Sequence, residues 1–275
     1  SKTRLHTLLL TLVFLPPVRF STTHMYARAP LTFNEQNIAV IRKIFSSGPR
    51  ALSLELPTST SAAPRSEWER SRAGRRAAVL VPLCNHDGIA SLLFTVRSSK
   101  VSTHKGQQVS FPGGHLEAGE DAIEAALRET REEIGDSLGG VEVLGTCQAL
   151  PAVTGTPVTP VLGFIRQDVG PLLHGLVLSP DEASRSTLSG PFSESVFTLS
   201  VSELLDPSFR TMDDLGLRGK VPAFTAGPHR VWGLTAAITD GVLRNGIVPL
   251  LQRQACSQSP QEENRSSADR PAAGR

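Results

Sequence analysis

The chain of 275 residues is long enough for one large domain or two small ones, and its 39% apolar residues suffice for one sizeable core. A net charge of +2 conceals an asymmetry, because residues 1–76 hold 12 basic and 4 acidic side chains whereas residues 77–251 hold 12 and 19. The excess positive charge therefore lies in the segment least typical of a fold, which argues against a nucleic-acid-binding protein. Three cysteines without C-x-x-C spacing exclude a disulfide scaffold and a cysteine zinc site. The longest apolar run, residues 8–15, is too short to cross a membrane.

The first 34 residues have the composition of an organelle transit segment. They contain basic and hydroxyl side chains, and no acidic residue precedes Glu35. The sequence VRFS at residues 18–21 resembles a mitochondrial processing site. We therefore predict a mitochondrial location, with a secretory signal or an untargeted leader as the alternatives.

Residues 35–76 are predicted to form an accessory helix followed by a linker. Asn34 can cap a helix over Glu35–Phe45, in which three apolar residues share one stripe. The segment that follows is rich in Ser, Thr, Pro, Ala and Arg without periodicity, which is typical of a linker. Residues 252–275 have the composition of a disordered tail.

The pattern between these segments, over residues 77–251, predicts a single α+β domain. An Asp-Gly pair at residues 87–88 joins two apolar runs in the manner of a hairpin. Strands outnumber helices and the two do not alternate regularly, so we expect a mixed β-sheet sandwiched between α-helices. The predicted strands are 77–83, 90–96, 109–111, 141–150, 158–165, 195–199 and 221–224, and the predicted helices are 120–134 and 231–243.

Residues 114–135, GHLEAGEDAIEAALRETREEIG, combine an amphipathic helix with an acidic cluster. Glu129, Glu132 and Glu133 have i, i+3, i+4 spacing, so their carboxylates project from a flank beside the packed face. Gly135 is predicted to end the helix. The face expected to pack on the sheet consists of Ile123, Leu127, Thr130 and Ile134.

Two interpretations of the three glutamates are open at this point. Clusters of charge on a helix are most often a solvated surface. However, like charges at these spacings destabilise a helix by about 0.2 to 0.5 kcal/mol per pair, and acids in its last turn oppose the helix dipole by about 0.3 to 1 kcal/mol. A hard divalent cation such as Mg²⁺ or Mn²⁺, coordinated by carboxylate oxygens, would reverse both costs. We therefore favour a metal site.

The same segment resembles the Nudix signature, G-x5-E-x7-R-E-U-x-E-E-x-G-U. Thr130 stands at one of its aliphatic positions and Asp136 at its last position. The chain is identified by this resemblance as a member of the Nudix superfamily, which implies the Nudix fold and metal-dependent hydrolysis of a pyrophosphate bond. The matching residues are Gly114, Glu120, Arg128, Glu129, Glu132, Glu133 and Gly135.

The flanking sequences resemble a narrower group, the coenzyme A diphosphatases. Residues 94–114, FTVRSSKVSTHKGQQVSFPGG, are similar to its pattern T-x-R-[SA]-x3-R-x3-G-x3-F-P-G-G, although Ser102 replaces the second arginine and Gln107-Gln108 adds a residue. Residues 227–239, GPHRVWGLTAAIT, are most similar to mitochondrial members of the vertebrate type. The resemblance implies that the small-molecule substrates are coenzyme A (CoA) and acyl-CoA, cleaved to 3′,5′-ADP and 4′-phosphopantetheine or its acylated form.

Candidate catalytic residues follow from the resemblance. It implies that Glu129, Glu132 and Glu133 bind the metal; Glu120 is either a further ligand or a residue that favours the helix N-terminus. Arg128 either orients a glutamate through a bidentate pair or forms a plain salt bridge. Glu182 is a candidate general base if residues 184–193 are an inserted surface loop.

Candidate substrate-binding residues lie mainly in the loop before the FPGG sequence. The planar fork of Arg97 suits a phosphate, and Lys105 ranks below it because an exposed lysine is usually only solvated. His104 is expected to form hydrogen bonds, since no second histidine stands at metal-ligand spacing. Trp232 and Phe224 are expected to be core residues rather than a platform for adenine. The full candidate set is Arg97, Ser98, His104, Lys105, Gly113 and Gly114.

Two other functions stay open from the sequence. The enzyme could act on another nucleoside diphosphate-linked substrate, such as ADP-ribose or a dinucleotide, or the fold could bind a nucleotide without cleaving it. A degenerate module is expected to lose carboxylates, and here all three remain, so we predict an enzyme. The sequence ranks neither CoA against acyl-CoA nor Mg²⁺ against Mn²⁺, and it leaves the oligomeric state open.

Overall fold

The computed structural model describes residues 31–46, 48, 75–97, 109–135, 138–177, 193–214 and 219–257. The strands are β1 Ala77–His86, β2 Ile89–Arg97, β3 Val109–Ser110, β4 Gly113–His115, β5 Val141–Thr146, β6 Leu150–Pro151, β7 Pro157–Ile165, β8 Ser193–Ser200, β9 Arg210–Asp214 and β10 Lys220–Phe224. The helices are α1 Glu35–Phe45, α2 Ala122–Ile134, α3 Gly170–Val177, α4 Val201–Leu205, α5 Gly233–Val242 and α6 Val248–Ser257. A 3-10 turn, Pro207–Phe209, follows α4, and a π-helical turn, Leu243–Ile247, joins α5 to α6.

One mixed sheet of eight strands organises the fold. Its main order is β3-β2-β1-β7-β5, with β4 paired to β1, β6 to β7 and β8 to β2. β1 and β7 run parallel, whereas the other pairs in this sheet are antiparallel. β9 and β10 form a separate antiparallel ribbon.

Helices cover both faces of the sheet. Two neighbouring residues of β1, Leu80 and Val81, point to opposite faces and contact different helices. Leu80 packs in a cluster with Ala125 and Ala126 of α2. Val81 packs instead in the larger cluster that contains residues of α1, α5 and α6. The expected α+β sandwich is therefore confirmed, and so is the packed face of α2, where Thr130 and Ile134 are buried and Ile123 and Leu127 are partly buried.

The local structure differs from the predicted boundaries in several places. Helix α2 begins at Ala122 rather than Glu120, because Asp121 supplies the cap. The single strand expected over residues 141–150 is divided into β5 and β6. Within β5, the pairing with β7 shifts register between Val143 and Gly145. The sequence pattern does not predict β4, β9, α3, α4 or α6, and α6 continues through Ser257, past the expected boundary at residue 251.

The helix expected to be accessory is part of the main core. Ile38, Ile41 and Phe45 of α1 are each at most 1% exposed. A Cβ atom at Gly145 would lie 2.4 Å from the carbonyl oxygen of Phe45, so only glycine permits this approach of β5 to α1. Phe33, which precedes the helix, packs edge-on against Phe164 with centroids 6.3 Å apart. The folded domain therefore includes residues 31–45, which overlap the end of the expected transit segment.

Among the described residues, no helix combines the length and the hydropathy that a transmembrane span requires. Most of the linker expected over residues 46–76, most of the transit segment, and residues 258–275 lie outside the described part of the chain.

Candidate active site

The local sequence determines where α2 begins and where it ends. The carboxylate of Asp121 accepts hydrogen bonds from the N–H groups of Ile123 and Glu124 at 2.8 and 2.9 Å. The Glu124 side chain accepts one from the N–H of Asp121 at 2.9 Å, which completes a capping box. At the other end Gly135 has a φ of 88° and ends the helix as expected.

The guanidinium of Arg128 is the centre of the site. Nε and Nη2 donate to the two carboxylate oxygens of Glu120 at 2.9 and 3.1 Å, forming a bidentate pair. Nη1 donates to one oxygen of Glu129 at 3.1 Å and to one of Glu132 at 3.2 Å. Nη2 also donates to the carbonyl oxygen of His115 in β4 at 3.2 Å. One planar cation therefore joins the turn before α2, two successive turns of α2, and the sheet.

These contacts shift the ionisation of both partners in the bidentate pair. The hydrogen bond to Glu120 is the largest cause that raises the pKa of Arg128 above its ordinary value. The hydrogen bond from Arg128, reinforced by one from the N–H of Glu117 at 2.8 Å, lowers the pKa of Glu120. Both groups are therefore charged at neutral pH, and Glu120 is held in the turn before the helix.

The three clustered glutamates differ in their exposure. The side chain of Glu132 is 51% exposed and that of Glu129 is 20% exposed, whereas Glu133 is only 6% exposed. The expectation that all three lie on an unpacked flank is therefore wrong for Glu133. Its position three residues after the buried Thr130 turns it toward the packed face.

The donor set suits a hard divalent cation. Among the described residues, no three His, Cys, Asp or Glu side chains are arranged to coordinate a metal ion. However, the carboxylates of Glu120, Glu129 and Glu132 share the guanidinium of Arg128, so these four side chains together carry a formal charge of −2. Carboxylate oxygens are the ligands that Mg²⁺ and Mn²⁺ prefer, and burial of the Glu133 carboxylate favours a nearby cation. The residues present therefore fit such a metal.

Gly113 and Gly114, both expected to bind substrate, have a clear packing role. In β4 they pair with Val79 and Ala78 of β1. A Cβ atom at Gly113, whose φ is +155°, would lie 2.3 Å from the carbonyl oxygen of Ala78. A Cβ atom at Gly114 would lie 2.3 Å from a carboxylate oxygen of Glu129. Gly114 thus leaves the space that the Glu129 carboxylate occupies.

A series of stacked rings connects this turn to a second loop. Phe111 stacks on Phe94 with centroids 5.0 Å apart, and Phe94 stacks on Phe197 at 5.4 Å. Phe197 in turn contacts the ring of His229 at 5.1 Å. This arrangement connects the loop of residues 225–232 to the FPGG segment through the rings of Phe94 and Phe197, a connection that no sequence pattern predicts.

The two aromatic residues expected to be core residues behave differently. Phe224 is fully buried, which confirms the expectation. Trp232 is 46% exposed, so the expectation is wrong for this residue. The reason is its position at the N-cap of α5, where the chain has left the sheet and the helix has not begun.

Several candidate residues lie beyond the part of the chain that the structure describes in full. Ser98, His104, Lys105 and Glu182 lie outside the described residues. Arg97 is described by its backbone at the end of β2. The expected inserted loop over residues 184–193 also lies outside, except for Ser193, which begins β8.

A cavity of about 450 Å³ beside the first turn of α2 was not anticipated from the sequence. It is lined by residues 121–123 of the helix start, residues 146–149 between β5 and β6, and Thr159 of β7. Residues 147–149 of its lining form the break between β5 and β6, which the sequence pattern does not predict because the segment resembles one apolar strand.

Comparison with known proteins assigns the family. Residues 74–192 match the NUDIX domain. The chain is also 31% identical over 190 residues to Nudix hydrolase 3 of Caenorhabditis elegans, an alignment that covers 63% of this chain and 74% of that protein. The chain therefore belongs to the Nudix hydrolase family, and its expected class, a pyrophosphohydrolase, is confirmed.

Within the family, the chain is similar to the coenzyme A diphosphatase branch. It is 40% identical over 174 residues to the human mitochondrial coenzyme A diphosphatase NUDT8, covering 61% of this chain and 68% of that protein. The branch expected from the sequence is thus confirmed. Among solved structures, the Nudix hydrolase RenU of M. smegmatis aligns with a TM-score of 0.38 and 16% identity over 68% of this chain and 88% of that one.

Proposed function

We propose that this protein is a metal-dependent coenzyme A diphosphatase. It hydrolyses the pyrophosphate bond of CoA and acyl-CoA, giving 3′,5′-ADP and 4′-phosphopantetheine or its acylated form. The observation that carries the proposal is the 40% identity to the human mitochondrial coenzyme A diphosphatase. The charged cluster around Arg128 supports it, because that cluster suits substitution at phosphorus.

In this proposal Glu129, Glu132 and Glu133 hold Mg²⁺ or Mn²⁺. A divalent cation held there would neutralise charge that develops on phosphate oxygens and would lower the pKa of the attacking water. Arg128 fixes the directions of Glu129 and Glu132 through its hydrogen bonds from Nη1. Gly114 provides room for Glu129. Preorganised carboxylates of this kind spare the reorganisation that a flexible site would need during the reaction.

Glu120 has a supporting role in the same arrangement. Its bidentate pair with Arg128 and its hydrogen bond from the N–H of Glu117 hold both of its oxygens. We infer that it orients the guanidinium, which in turn orients the metal-binding glutamates. Glu182 is proposed as the general base that accepts a proton from the attacking water.

We propose that the substrate binds near the end of β2, where β2 pairs with β3. Thr95 and Val96 of β2 pair with Ser110 and Val109 of β3, so the backbone of Arg97 adjoins the segment that leads to Gly114. Arg97, together with Ser98, His104 and Lys105, is proposed to bind the phosphates of CoA.

Incubation of the full chain with Mg²⁺ and a panel of CoA, acetyl-CoA, ADP-ribose and NADH, with products identified by mass, tests this function. We expect CoA or its thioester to be cleaved fastest. Glu132→Gln should reduce turnover by at least about two orders of magnitude, the scale of a lost electrostatic contact in the transition state. Glu117→Gln is the matched control, because Glu117 is exposed and contributes its backbone N–H to the site.

Two results would contradict the proposal. Faster cleavage of ADP-ribose or NADH than of CoA would assign another substrate. Near wild-type turnover in both Glu129→Gln and Glu132→Gln at saturating Mg²⁺ would remove the proposed metal site.

A mitochondrial location completes the proposal. The basic, acid-free composition of residues 1–34 supports it, and so does the mitochondrial relative in human.

A further inference from the structure

Arg230 and Trp232 form an exposed pair at the start of α5. Val231 between them is fully buried and exchanges two backbone hydrogen bonds with Phe224, at 2.8 and 2.9 Å. The backbone is therefore extended at this point, and alternate residues project to the same side. The side chain of Arg230 is 46% exposed and pairs with Asp213 of β9, while Trp232 is also 46% exposed.

A hydrogen bond joins the start of α5, where this pair lies, to β3 at the edge of the sheet. The segment after β3 leads to the acidic cluster. The hydroxyl of Thr235, in the first turn of α5, donates to the carbonyl oxygen of Val109 in β3 at 3.3 Å. Residues 109–114 then run from this contact to Gly114, against which the Glu129 carboxylate lies. Five residue steps of extended chain span at most about 18 Å. Thr235 follows Trp232 by three residues, so this short segment connects the start of α5 to the glycine that Glu129 contacts.

The chemistry of the pair suits an adenine nucleotide. A tryptophan usually buries most of its large apolar surface, so the indole of Trp232, which is 46% exposed at the start of α5, offers a flat face to a ligand. Nucleobases stack on such faces, and an adjacent guanidinium can contact a phosphate on the same nucleotide. In the proposed substrate, adenine is the only aromatic ring and the adjacent ribose carries a phosphate.

We propose that Trp232 binds the adenine ring of the substrate by stacking, with Arg230 on the same face directed to a phosphate of the same adenosine. This inference rests on the proposed function for its substrate. Trp232 is a binding residue in this scheme, so its loss should weaken the affinity for the nucleotide half of the substrate and leave the chemistry at phosphorus largely unchanged.

Fluorescence of Trp232 provides a test that does not depend on turnover. The chain has two tryptophans, so Trp68→Phe leaves Trp232 as the only one. We expect saturable quenching when this variant is titrated with 3′,5′-ADP in the absence of metal, and none with 4′-phosphopantetheine. Absence of saturable quenching by the adenine nucleotide would overturn the proposal.

Kinetics of Trp232→Ala in the full chain give the second measurement. We expect the KM for CoA to rise roughly tenfold to a hundredfold, the loss typical of one base–aromatic stack, with kcat within about threefold of wild type. Trp232→Phe should recover most of the affinity. Phe209→Ala is the matched control, because Phe209 is also a partly exposed aromatic residue (38%) but lies in the 3-10 turn before β9.

The outcomes separate this proposal from the proposed function. Quenching by 3′,5′-ADP in a protein that does not cleave CoA would support the adenine platform and contradict the substrate. Cleavage of CoA with an unchanged KM in Trp232→Ala would overturn the platform and leave the function intact. Equal loss of kcat in Trp232→Ala and Trp232→Phe would also overturn it, because binding by stacking predicts rescue by phenylalanine.

Discussion

Arg128 joins several carboxylates through one planar group, and a lysine in its place would isolate the contribution of that geometry. Lysine keeps the positive charge but cannot form the bidentate pair with Glu120 while also reaching Glu129. We expect Arg128→Lys to lower kcat/KM by about tenfold to a hundredfold through misplacement of the glutamates, measured by steady-state kinetics. Arg131→Lys is the control, since Arg131 is exposed on the same helix and donates to the carbonyl oxygen of Leu127. Equal activity of the two variants would show that charge alone suffices at residue 128.

Adjacent glycines in β4 offer a contrast between loss of activity and loss of fold. At Gly114 an added Cβ meets the end of a flexible side chain, the Glu129 carboxylate, at 2.3 Å. We therefore expect Gly114→Ala to displace Glu129 and reduce turnover at least tenfold, with a small change in melting temperature. At Gly113 the added atom meets the backbone of Ala78 at 2.3 Å and φ is +155°.

Gly113→Ala should therefore lower the melting temperature far more than Gly114→Ala, because neither backbone can move without breaking the pairing of β4 with β1. Thermal melts and kinetics on both variants check the contrast. A larger loss of stability in Gly114→Ala would show that Glu129 is fixed more rigidly than its exposure indicates.

Asp168 fixes the hairpin between β1 and β2 to the start of α3. Its carboxylate accepts hydrogen bonds from the N–H groups of Gly170, Gly88 and Asp87, at 2.9, 2.7 and 2.9 Å. Partial burial acts to raise the pKa of Asp168, but these hydrogen bonds together outweigh it and lower the pKa below its ordinary value. The ionised carboxylate is therefore part of the fold.

We expect Asp168→Asn to reduce the free energy of unfolding near pH 7 by about 1 to 2 kcal/mol, because an amide replaces a charged acceptor. A lowered pKa in the folded state stabilises above the unfolded value of about 3.9 and is lost as the pH falls through the folded value. The stability curves of variant and wild type should therefore converge as the pH falls below about 3.9, as measured by urea unfolding. A constant difference across this range would contradict the assignment.

Helix α1 docks on the sheet through both apolar and charged contacts. Arg42 pairs with Glu142 of β5, and Arg166 pairs with both Glu142 and Glu35. Ahead of the helix, the Asn85 side chain forms two hydrogen bonds with the backbone of Phe33, each 2.9 Å long. The segment before β1 therefore completes the core, although the family match begins only at residue 74.

Truncation separates the roles of this segment. A chain that begins at residue 31 should melt within a few degrees of the full chain, whereas a chain that begins at residue 75 exposes the surface that Ile41 and Phe45 cover and should not unfold cooperatively. Phe45→Ala in the full chain should cost about 3 to 5 kcal/mol, as deletion of a buried aromatic ring does. A cooperative, undiminished melt for the shorter chain would contradict this account.

How much of the structure was predictable depended on whether local or distant contacts decided each feature. β1, β2 and β7 were predicted because apolar and β-branched residues recur along each strand. β9 was not, because its sequence RTMDD is polar and only its pairing with β10 makes it a strand. At the site, charge and spacing identified Arg128 and the glutamates. The burial of Glu133 and the exposure of Trp232 were missed, because both depend on what packs against them from elsewhere in the chain.

The charge asymmetry of the chain, with 12 basic residues against 4 acidic ones in residues 1–76, supports the expectation of mitochondrial import. The fold adds a limit to it. Leu31 accepts a hydrogen bond from the N–H of Ala90, and Phe33 is 2% exposed, so cleavage beyond residue 31 would remove part of the core. A processing site at the VRFS sequence of residues 18–21 satisfies this limit.

We therefore expect residues 1–34 to direct a fused reporter into mitochondria, and the mature form of the full chain to begin between residues 19 and 31, as determined by mass analysis of its N-terminal peptide. Replacement of Arg4, Arg19 and Arg28 by glutamine should leave the reporter in the cytosol, because import of such segments depends on their positive charge. A secreted reporter would instead identify the apolar run at residues 8–15 as a secretory signal. A mature chain that begins beyond residue 31 would mean that α1 docks without the contacts of Leu31 and Phe33, and would contradict the assignment of those residues to the core.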